Sequence, residues 1–121
     1  MTDILTDAAA AKAYLEKIKN CKKIGVEFSL TFAQYRRLWN TKKCYYTGVL
    51  FPERGHDWSE SEKARRSTLD RVDNSKGYVT GNVVACTYTF NQLKSLWENP
   101  SKPLTEKSVR SAMLKLKRRS A

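Results

Sequence analysis

With 121 residues, 40% of them hydrophobic and 11% aromatic, the chain has the size and apolar content of one globular domain, which excludes a disordered or low-complexity protein. Lys and Arg number 23 against 12 Asp and Glu, a net charge of +11, so the expected partner is a polyanion, with nucleic acid first. Cys21, Cys44 and Cys86 form no CxxC pair and suit free buried thiols rather than a disulfide framework or a four-cysteine zinc site.

No apolar run approaches the roughly 18 residues of a membrane span, and Met1 to Leu5 lacks the pattern of a signal peptide, so the expectation is a cytoplasmic protein without membrane contact. Residues 6–19 predict an amphipathic helix, with Thr6 and Asp7 as cap candidates and Ala8, Ala11, Leu15 and Ile18 at helical spacing. After the break at Gly25, Leu30-Thr31-Phe32-Ala33-Gln34-Tyr35 fits a capping box. The Thr31 hydroxyl would accept the Gln34 amide hydrogen while the Gln34 side chain reaches back, with Leu30 and Tyr35 as the hydrophobic staple. This second helix should bury Phe32, Tyr35, Leu38 and Trp39 and leave Arg36 and Arg37 outside.

Cys44-Tyr45-Tyr46-Thr47-Gly48-Val49-Leu50-Phe51 suits a short strand or hairpin arm, and residues 52–66 read as a charged loop, partly helical near Glu60 to Arg66. Residues 67–73 alternate in the manner of a strand, Asn74-Ser75-Lys76-Gly77 is a turn, and Val83 to Cys86 is a second strand. A third helix places Phe90, Leu93, Leu96 and Trp97 on one face and ends at Asn99-Pro100. A last helix follows Pro103, with Leu104 and Thr105 leading in and Val109, Met113 and Leu116 as its apolar stripe. The expected organisation is a single α+β domain over 1–121. Residues 1–43 are helical, 44–98 form a strand, turn, strand, helix core, and 99–121 form a basic C-terminal helix.

The charge is unevenly placed. Residues 21–43 hold six basic and one acidic side chain and residues 100–121 seven and one, while the remaining segments are neutral. Basic wings on either side of a neutral centre suit a site held on a phosphate backbone. The residues expected to contact phosphate are Arg36, Arg37, Lys42, Lys43, Arg71, Lys76, Lys94, Lys107, Arg110, Lys117 and Arg118. Double-stranded DNA is the expected partner, and an acidic host protein the alternative, with Trp39, Trp58 or Trp97 as a conceivable anchor and core burial expected for Trp39 and Trp97.

The hairpin and helix place Asp70 on the first strand, Asn82 just before the second, and Asn91 one turn into the helix, where they can converge. A carboxylate and an amide oxygen are hard ligands suited to Mg2+ or Mn2+. Leu69-Asp70-Arg71-Val72-Asp73-Asn74-Ser75-Lys76-Gly77-Tyr78, followed by Gly81-Asn82-Val83-Val84 and Asn91-Gln92-Leu93-Lys94, resembles phage-encoded members of the HNH endonuclease superfamily. Cys44-Tyr45-Tyr46-Thr47-Gly48 is similar to their lead-in, and the resemblance covers residues 28–95. It implies a ββα-metal fold and divalent-metal-dependent cleavage of DNA. Asp70 and Asn91 would be the metal ligands and Asn82 the orienting residue, and Arg71 stands where the general-base His would be. A guanidinium cannot take a proton from water near neutral pH, so Arg71 would clamp phosphate or stabilise transition-state charge instead. The base would come from metal-bound water, hydroxide, His56 or Asp73, although an Asp before a tight turn also suits an Asx-turn. Thr47 stands where relatives carry a second zinc-binding Cys, so structural zinc is not expected. The alternative reading is a catalytically inactive HNH-fold protein that binds DNA or a host protein without cutting.

Overall fold

The computed structural model describes residues 4–99, 101 and 104–120; Met1, Pro100 and Pro103, invoked above, lie outside them. The described residues form a mixed α+β structure of five helices and one two-stranded antiparallel hairpin. The first helix, α1 (Ile4–Ile24), is longer than predicted at both ends, and Thr6 and Asp7 lie inside it rather than at its cap. It ends where Gly25 takes φ 74°, and the Gly25 and Val26 amides donate back to the Lys22 and Cys21 carbonyls in a Schellman arrangement. Its buried face carries Ala10 and Cys21 with Tyr14 between them, about one residue round from the predicted stripe, and Leu15 is 57% exposed. Tyr14 sets that face: its ring meets Phe28, Phe32 and Tyr35 at centroid distances of 5.3–5.7 Å, and its hydroxyl donates to the Leu30 carbonyl at 2.8 Å.

Helix α2 (Phe32–Trp39) has both arms of the Thr31–Gln34 capping box and buries Tyr35 against α1, while Leu30 just before it is also buried. Residues 44–51 form a tight reverse loop with one bridge, Lys43 to Leu50, instead of a strand arm; Gly48 at φ 73° makes the turn. This loop lies beside the hairpin, with the Tyr45 amide donating to the Ala85 carbonyl at 2.9 Å. A short helix, α3 (Glu60–Ala64), starts from a second capping box, Ser59 with Glu62. Strands β1 (Ser67–Arg71) and β2 (Val83–Thr87) pair antiparallel with Asp70 opposite Val84, and α4 (Tyr88–Glu98) follows β2 directly from a Thr87 cap. Of the predicted apolar face of α4, Leu93, Leu96 and Trp97 stay on the surface, 38%, 43% and 40% exposed. Trp97 is therefore not core; the helix turns Phe90, Asn91 and Lys94 inward instead. The last helix, α5 (Glu106–Ser120), likewise leaves Met113 and Leu116 exposed.

The three cysteines are free and buried. Among the described residues, no helix is long and apolar enough to cross a membrane.

Candidate functional site

The two strands and α4 bring the key side chains together. The side chains of β1 alternate, which turns Asp70 inward, where it is 5% exposed. Asn91, Lys94 and Glu98 recur at i, i+3 and i+7 of α4 and so share one side of that helix. Asp70, Arg71, Asn91 and Glu98, with Tyr78, line one cleft of about 320 Å3. Three of the four expected catalytic residues thus meet there, and Asn82 does not.

The Tyr46 hydroxyl donates to Asp70 Oδ2 at 2.6 Å, and its ring stacks on Phe90 at 4.7 Å. Burial and the adjoining Asp70 carboxylate hold the Tyr46 phenol well above its ordinary pKa, so it stays a donor. Lys94 Nζ lies 3.3 Å from Asp70 Oδ1 and 2.5 Å from Glu98 Oε1, and donates to the Arg71 carbonyl at 3.1 Å. Burial works against the charge on Lys94, but its bonds to Glu98 and Asp70 outweigh that and raise its pKa. The other Glu98 oxygen accepts from the Asn74 amide at 2.7 Å. The Asn91 amide nitrogen donates to Thr68 Oγ1 at 3.1 Å and to the Leu69 carbonyl at 3.5 Å.

The expected roles shift accordingly. The Asp70 carboxylate is not open to a Mg2+ or Mn2+ ion, because one oxygen is committed to Tyr46 and an ammonium stands at the other. Lys94 is an internal ion-pair partner, 14% exposed, rather than a phosphate contact. The Arg71 guanidinium reaches the Asn74 and Lys76 carbonyls at 3.5 and 3.3 Å and lies 5.3 Å from the Tyr78 ring centre, which makes it a brace for the 74–76 turn. His56 pairs with Glu62 at 3.0 Å and does not line the cleft. Asp73 Oδ1 accepts from the Ser75 amide and hydroxyl, an Asx-turn that lowers its pKa. Among the other expected phosphate contacts, Arg36 pairs with Asp7 and Arg110 with Glu106, while Arg37, Lys42, Lys43, Lys76, Lys107, Lys117 and Arg118 are exposed.

Asn82 orients backbone rather than a catalytic side chain. Its oxygen accepts the Asp73 amide at 2.9 Å, and its nitrogen donates to the Asp73 and Gly77 carbonyls at 3.1 and 2.9 Å, which clamps the turn between the strands. Asn82→Ala should cost about 2 kcal/mol, since it strands buried backbone groups, and urea unfolding measures this. A loss within about 0.5 kcal/mol, the range of ordinary surface substitutions, would show that the turn holds without the clamp.

A second cleft of about 440 Å3 adjoins the first, with Tyr78 and Asn91 in the wall of both. Three cations in or beside it sit on aromatic rings: Lys17 on Tyr78 at 4.4 Å, Arg54 on Trp39 at 3.6 Å and Arg66 on Tyr88 at 3.8 Å. None of these three stood out from the sequence, because their rings lie 15 to 61 positions away and pattern reading sees only near neighbours.

A protein of Enterobacteria phage T4, described as an uncharacterized 29.0 kDa protein in the dda-modA intergenic region, is 33% identical to this chain over 76 residues. Those residues are 63% of this chain and 28% of the phage protein, so the chain matches well under a third of that relative's length. No family model and no solved structure matches the chain.

Proposed function

We propose that this chain is a nucleic-acid-binding protein that grips the phosphate backbone from its basic, aromatic face. The observation that carries this reading is the set of cations seated on rings at the second cleft, backed by a net charge of +11. A ring holds an Arg or Lys head in place while leaving its charge available to an anion, and the ring itself adds a surface on which a base can stack. Double-stranded DNA is the partner to test first, with an acidic protein of the host as the alternative. The similarity to a phage T4 protein supports a phage-encoded protein acting in the host cytoplasm.

A metal-dependent HNH endonuclease on a ββα-metal centre is the second reading. The convergence of Asp70, Arg71 and Asn91 on one cleft favours it, and the occupancy of both Asp70 oxygens argues against it. Supercoiled plasmid separates the two readings. With Mg2+ or Mn2+ the binding reading expects a gel shift without nicked or linear product. Cation-dependent nicking that disappears with EDTA and in Asp70→Asn would establish the nuclease.

Binding itself should weaken steeply with salt, and Lys17→Ala combined with Arg54→Ala should flatten the slope of log affinity against log salt by about 0.9 per lost phosphate contact on B-DNA. An unchanged slope in that double variant would remove the second cleft from the binding surface.

A further inference from the structure

Asp70 is deeply buried, and a carboxylate that far from water needs a positive charge beside it or several donated hydrogen bonds. The chain supplies the charge from its own helix. The Lys94 ammonium has three hydrogens and meets three oxygens from three residues, Asp70 Oδ1, the Arg71 carbonyl and Glu98 Oε1, at 3.3, 3.1 and 2.5 Å. Two carboxylates and a backbone carbonyl are the oxygen set a hard metal ion would also choose.

We propose that Lys94 is the resident cation of this centre: its ammonium stands at Asp70, the carboxylate that the resemblance to HNH endonucleases makes a metal ligand, and takes the place of Mg2+ or Mn2+ at that oxygen. The placement follows from the helix. Lys94 lies one turn beyond Asn91 on the side facing β1, and its stem carries the charge back to Asp70. Glu98 lies one turn further and holds the same ammonium from the other side, so the head group is fixed between two strand oxygens and one helix oxygen. Asn74 fixes Glu98 in turn. A divalent ion arriving at Asp70 Oδ1 would meet a like charge held at hydrogen-bond distance, and could enter only by displacing it.

The test is Mn2+ uptake by the full-length protein, read from the electron paramagnetic resonance signal of free Mn2+, with circular dichroism to confirm folding. The wild type should leave the signal unchanged. Lys94→Ala, which leaves Asp70 and Glu98 without their counter-charge, should sequester Mn2+, and Asp70→Asn in that background should abolish the uptake. Lys94→Met retains the apolar stem and replaces Lys94→Ala if the shorter side chain does not fold. Wild-type protein that takes up Mn2+ and loses the uptake in Asp70→Asn would overturn the proposal without any Lys94 variant. A folded Lys94 variant with no uptake would overturn it as well. No nucleic acid enters this experiment, so its failure would leave the binding reading standing.

Discussion

Asp70→Ala should destabilise the protein by about 3 kcal/mol, the lower end of the range for breaking a buried ion pair from one side. The carboxylate is 5% exposed and serves two donors, the Tyr46 hydroxyl and the Lys94 ammonium; its removal leaves the hydroxyl unpaired and the ammonium with Glu98 and one carbonyl. Glu98 is what keeps the loss from being larger. Urea unfolding should show the midpoint falling at unchanged slope. Combining Asp70→Ala with Lys94→Met and Glu98→Gln should recover much of the loss, because no member of the three-charge cluster is then left without its counter-charge. A triple variant no more stable than Asp70→Ala would mean that the loss comes from the unpaired Tyr46 hydroxyl rather than from the ammonium. A loss below about 1 kcal/mol, as for an exposed pair, would mean that Asp70 is hydrated.

Gly77→Ala should be at least as damaging, by about 3 kcal/mol, for a purely steric reason. Gly77 is buried against Glu27, and a methyl there would collide with the Glu27 carbonyl oxygen and lie 2.7 Å from its Cβ. These are backbone and first side-chain atoms, which cannot rotate away. The two segments are held together by a bridge in which the Tyr78 amide donates to the Glu27 carbonyl at 2.8 Å and the Ser29 amide to the Tyr78 carbonyl at 3.0 Å. Admitting the methyl requires that bridge to open. Hydrogen exchange should therefore show the Ser29 and Tyr78 amides losing protection before the β1 and β2 amides do. Unchanged stability with both amides protected would mean that the backbone yields without breaking the bridge.

What could be read in advance divides along the range of the interaction involved. The Thr31–Gln34 box links residues three positions apart and is fully visible in the sequence; the Ser59–Glu62 box has the same spacing and is legible by the same rule, although residues 52–66 read mainly as a loop. The turn and both strands fell close to their predicted places because glycine and alternation mark them locally. The face of α1 was misplaced because alanines crowd residues 8–13 and define no side, leaving the choice to Tyr14 and its distant ring partners. Asp70, Arg71 and Asn91 line one cleft while Asn82, expected with them, does not, and the partners of Asp70 lie far from it in the chain: Tyr46 is 24 residues before it and Lys94 the same distance after it. Without the tertiary fold, a lysine beside the apolar positions of a helix reads as solvated, and Lys94 reads as a phosphate contact for that reason.

The side chains that α4 points at the hairpin have a further effect on the sheet as a surface for assembly. A two-stranded sheet has two open margins whose outward amides and carbonyls can template another strand. Here Asn91 and Lys94 occupy the Leu69 and Arg71 carbonyls along β1, and the Tyr45 amide occupies the Ala85 carbonyl along β2. A strand added from another copy would therefore have to compete with α4 for acceptors on β1 and with the 44–51 loop for an acceptor on β2. The Lys94 contact that fills the Asp70 centre thus also works against edge-to-edge pairing at β1.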